Sequence, residues 1–83
     1  MNVYSKYEIV VFPNLAKAVH HFYASGAKHA FCNKEILPGW QDSLIPVQSL
    51  IKNSEACLGC LVMLDRIQRL FGNENIIIHL TGL

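Results

Sequence analysis

Apolar and polar residues alternate over residues 4–12, with Tyr7, Ile9 and Val11 on one face and Lys6 and Glu8 on the other. A period of two over this length predicts a β-strand. Val10 and Phe12 are apolar on the second face, so the end of this strand is expected to be buried from both sides. Pro13-Asn14 closes it. Leu15, Ala18, Val19 and Phe22 then recur at helical spacing, Asn14 is suited to cap, and Gly26 suits the left-handed position that follows a helix. A helix is therefore expected over residues 15–26. On it, His20 and His21 fall opposite the apolar stripe, beside Lys17, on a solvated face.

Residues 27–32 read as a short second strand, which Asn33-Lys34 turns into a third over residues 35–37. Pro38-Gly39 breaks it, and the single tryptophan, Trp40, follows. Asp42 or Ser43 can cap a helix with Pro46 in its first turn and Leu44, Val47, Leu50 and Ile51 on its apolar face. At Asn53-Ser54 two readings stay open. Either Ser54 caps a new helix ending at Phe71, or one helix covers residues 44–71; Gly72 terminates both. Residues 76–80 are β-branched and almost continuously apolar, the pattern of a buried strand. This order predicts a single α+β domain over residues 1–83, a small sheet of three or four strands with two or three helices packed on one face. If the central hairpin forms, the order matches the ferredoxin-like arrangement.

Composition adds an argument about surface. Charged residues make up 16% of the chain and apolar ones 52%, and a chain this short leaves much of its area exposed after folding. Residues 56–64 carry no charged side chain at all. On a helix, Leu58 and Val62 fall on one flank of the core stripe and Met63 and Leu70 on the other, more apolar faces than a small two-layer domain can cover. These four, with Trp40 as an exposed anchor, are the expected interface for a protein partner or a second copy, making a homodimer. For Trp40 a lid on the core is the commoner outcome for a loop tryptophan and is preferred, with the anchor as its alternative. The net charge of +1 is scattered rather than concentrated, which argues against nucleic acid as partner. No apolar run reaches bilayer length and the first residues lack the pattern of a signal peptide, so no membrane partner and a cytoplasmic location are expected.

Candidate chemistry centres on Cys57-Leu58-Gly59-Cys60. Three cysteines, an odd number without a secretion signal, are expected to be reduced. Cys57 and Cys60 can fill the same helical stripe as Leu64, Ile67 and Phe71. As an alternative they form a redox or sulfur-relay pair, provided that a helix N-terminus stabilises one thiolate. A third reading adds His29 and Cys32 to the pair as four ligands of a structural zinc ion. Against it, His29 and Cys32 on one strand would point to opposite faces, and no glycine follows either pair. His79 is out of phase with Ile76, Ile78 and Leu80 and carries little on its own. No catalytic residues and no cofactor are assigned beyond these alternatives. The functional expectation is a small non-enzymatic protein-binding module, a homodimeric regulator or inhibitor. Its alternatives are the dithiol protein and the zinc-stabilised module.

Overall fold

A computed structural model describes residues 2–43, 56–72 and 77–78. Strand β1 (Asn2–Phe12) runs into the turn at Pro13-Asn14 and returns as β2 (Leu15–Ala24). The two pair antiparallel along their whole length, from Phe12 opposite Leu15 to Val3 opposite Ala24. The helix expected over residues 15–26 is therefore a strand. Val19, Phe22 and Tyr23 are β-branched or aromatic and favour the pleated surface, and a two-residue connection brings them directly back onto β1. His20 and Phe22 point to one side, His21 and Tyr23 to the other, and all four are buried. The second half of the strand is buried on both faces and so has no period of two, and its apolar residues fell by coincidence at helical spacing.

Strand β1 is central. Its second edge receives β3 (Gln41–Asp42), antiparallel with Lys6 opposite Asp42 and Tyr7 opposite Gln41. Nearer its start it pairs in parallel with β4 (Ile77–Ile78), inside the strand expected over residues 76–80. The hairpin expected over residues 27–37 reduces to one bridge, His29 to Glu35. Among the described residues there is one helix, α1 (Leu58–Phe71), which ends at Gly72 as expected, with φ of 76° and its N–H donating to the Gln68 carbonyl at 2.9 Å. Among the described residues, a sheet whose three antiparallel strands β2-β1-β3 are joined by the short parallel β4, together with one helix, stands where two or three helices on a sheet were expected. The ferredoxin-like arrangement fails because a tight hairpin joins β1 to β2 where that fold needs a helical crossover. The helix expected from Ser43 lies outside the described residues, but Ala56 bridges to His20 and Cys57 is extended, so α1 begins at Leu58 and neither a helix capped by Ser54 nor one continuous over residues 44–71 forms.

The core holds Val3, Phe22, Ala30, Trp40, Ala56, Cys60 and Leu64. Two segments remote in sequence reach it by the same route, the outer edge of β2. The Phe31 N–H donates to the Phe22 carbonyl at 2.8 Å, and the Cys57 N–H donates to the His20 carbonyl at 2.7 Å. Carbonyls two residues apart on a strand face the same edge. His21, between them, is thus flanked by both incoming segments.

Candidate metal centre

Each segment carries cysteine to that edge in a particular local shape. After Phe31 the chain reverses tightly, the Asn33 N–H donating to the Ala30 carbonyl and the Ala30 N–H to the Lys34 carbonyl, both at 2.8 Å. Asn33 has φ of 70°. Asparagine tolerates this left-handed conformation better than most side chains, and so does the work that glycine does elsewhere. Cys32 is presented on this reversal. In the second segment Cys57 is the N-cap of α1 in extended conformation, and its side chain makes no capping hydrogen bond. Cys60 follows in the first turn, where backbone N–H groups lack carbonyl partners and the helix dipole favours negative charge. Between them, a Cβ on Gly59 would lie 2.9 Å from the Cys32 Cβ. Glycine at that place is what lets the two cysteine segments close on one another.

The result is a cluster. The ligand atoms of His21, Cys32, Cys57 and Cys60 all lie within 4.8 Å of one another and can hold a metal ion. His21 Nδ1 is 3.5 Å from the Cys32 sulfur and 3.7 Å from the Cys60 sulfur. A tetrahedral ion with bonds of about 2.3 Å to sulfur and about 2.0 Å to nitrogen sets its ligand atoms about 3.5–3.8 Å apart. All three cysteines are free thiols. His21 and Cys60 are buried and Cys32 and Cys57 half-buried, so the cluster is largely screened from water.

Electrostatics point the same way. Burial pushes the Cys60 thiol up to about 12, and the neighbouring Cys57 and Cys32 push in the same direction, outweighing hydrogen bonds from the backbone. Without a cation Cys60 keeps its proton. Burial likewise holds the His21 imidazole below its ordinary value, against the opposing pull of Glu8, which favours the neutral ring that a metal requires. The ring is clamped. Trp40 stacks on its face at 4.4 Å between centroids and 12° between planes. Its Nε2 faces the Glu8 Oε1 at 3.3 Å, within ion-pair range but short of hydrogen-bond alignment, since Nε2 has no hydrogen-bonding partner. Burial would raise the Glu8 carboxyl, yet Lys34 and His21 together hold it below its ordinary value.

Three of the four expected zinc ligands, Cys32, Cys57 and Cys60, are brought together; the fourth is His21 and not His29. The reversal at residues 30–33 carries Cys32 inward and leaves His29 exposed on its bridge to Glu35. The clue to His21 was its place between Val19 and Tyr23 in a mostly apolar stretch, legible only once that stretch is read as a strand. His20 is also buried, its Nδ1 2.7 Å from the Ser43 hydroxyl. Trp40 is buried against His21, as the reading of it as a lid on the core expects and not as an interface anchor. Leu58, Val62 and Leu70 are exposed and Met63 is half-buried. No helix among the described residues is long and apolar enough to cross a membrane. Comparisons with protein-family models, curated proteins and solved structures give no match.

Proposed function

We propose that this chain is a small zinc-stabilised binding module in which His21, Cys32, Cys57 and Cys60 hold one structural zinc ion. The observation that carries this reading is the convergence of four ligand atoms within 4.8 Å from three separated segments. Three soft thiolates and an imidazole select zinc over the hard oxygen-seeking cations, and three cysteines with one histidine is a donor set of structural zinc sites. Four protein ligands leave no open position for a substrate or an activated water, so the metal's role is to fold the chain. A domain of this size buries too little area to be stable with much to spare, and joining β2, the Cys32 reversal and α1 through one ion offsets that deficit.

The metal reading is preferred to the dithiol one because it also gives a role to His21 and Cys32, which converge on the pair, while burial drives the Cys60 thiol away from the thiolate. Function then rests on surface, and Leu58, Val62 and Leu70 on α1 are the proposed contact for a protein partner or a second copy. The metal reading is tested by elemental analysis of chain purified without chelator. About one zinc per chain is expected, and less than roughly a tenth of an equivalent would contradict it.

A further inference from the structure

We infer that Glu8, anchored by Lys34, is the positioning residue that commits His21 to binding the metal through Nδ1. The inference rests on the zinc reading above and extends it to groups that touch no metal. An imidazole can ligate through either nitrogen, and the proton on the other selects which. Here Nδ1 faces two sulfurs at 3.5 and 3.7 Å while the buried Nε2 faces the Glu8 carboxylate at 3.3 Å. A proton on Nε2 lies in ion-pair range of a carboxylate, which favours it there, whereas a proton on Nδ1 would stand among the ligating sulfurs. The carboxylate is itself fixed, since the Lys34 ammonium donates to the same Oε1 at 2.6 Å.

Register explains how a residue on β1 comes to serve a ligand on β2. Lys6 is directly opposite His21 and Glu8 is opposite Val19, so Glu8 and His21 are diagonal neighbours on one face of the hairpin, within reach of long side chains. Lys34 lies two residues beyond Cys32, on the reversal that presents this sulfur, and its ammonium stands 6.0 Å from the Trp40 ring that stacks on His21. One cation therefore ties the histidine's support to a cysteine-bearing segment. Lys34 also places positive charge beside three thiolates whose summed charge exceeds that of one divalent ion. Carboxylate support of a ligating histidine is worth about tenfold to a hundredfold in metal affinity.

The test is zinc affinity by chelator competition on the full chain, with the ¹⁵N shifts of the His21 ring as a second readout. For E8A the expected result is a loss of about tenfold to a hundredfold, with the ring losing its single Nε2-protonated signature. E8Q, which keeps an acceptor oxygen, should recover part of that loss. K6A breaks the ion pair that Lys6, on the same strand as Glu8, makes with Asp42 on β3 (2.9 Å) and serves as a control that should leave zinc affinity unchanged. Affinity of E8A within about twofold of wild type, or an equal loss in K6A, would overturn the inference. A wild-type chain that takes up no zinc overturns the metal reading and this inference with it, and is told apart because wild type and variants then fail alike.

Discussion

Each residue at the cluster has a physical reason to be of its own type. Gly59 stands where a Cβ would come within 2.9 Å of the Cys32 Cβ, a contact that neither helix N-terminus nor reversal can relieve without moving a ligand. G59A is expected to destabilise the metal-bound chain by about 1–3 kcal/mol and to weaken zinc binding, measured by denaturant unfolding and chelator competition. Asn33 makes the opposite case. Its φ of 70° costs an asparagine a little and glycine nothing, so N33G should be neutral or slightly stabilising in the same unfolding experiment. Titration adds a signed prediction for the metal-free chain. His21 is held below its ordinary 6.5 by burial, and Glu8 below 4.5 by Lys34 and His21, which outweigh burial. Both are depressed in the fold, so their contribution is present above those values and is lost as pH falls, first through His21 and then through Glu8. Cys60, raised to about 12, has the other sign: stability is full below its ordinary 9.0 and is lost as pH rises toward 12. Melting temperature against pH should therefore form a plateau between about 6.5 and 9, falling on both sides.

At the scale of elements, β2 is the organising piece, because its outer edge receives both cysteine segments through the Phe22 and His20 carbonyls. These two backbone bonds close only if the segments stay docked. Amide exchange at Phe31 and Cys57 is expected to be slow in the zinc-bound chain and to speed up by at least about tenfold on chelation, while exchange within the paired part of β1 and β2 changes less. Equal acceleration everywhere would mean that the ion does not act locally. Strand β1, its closing turn, the end of α1 at Gly72 and part of the last strand were all legible in the sequence, because alternation, Pro-Asn and glycine act through local backbone preferences. Strand β2 was not, since burial on both faces of its second half erases its period, and that error moved His21 onto an imagined solvated helix face. Three of the four residues of the cluster were still recognisable from the cysteines alone. The fourth depended on strand pairing, which couples residues that the sequence holds apart.

For the whole molecule, few charged side chains and much exposed apolar area remain to be accounted for. Leu58 and Leu70 on α1 are 78% and 79% exposed, and Val11 and Leu15 near the hairpin turn are exposed as well. The proposed association through α1 predicts a concentration-dependent mass by light scattering, abolished in L58E/V62E while zinc content stays at wild-type level; a monomer at all micromolar concentrations would remove the homodimer and leave a different protein as partner. The central claim concerns the ion, and the most direct measurement of it is thermal unfolding of the zinc-loaded chain with and without a strong chelator. One cooperative transition is expected, which chelation shifts down or abolishes and stoichiometric zinc restores. An identical transition in both samples would contradict it.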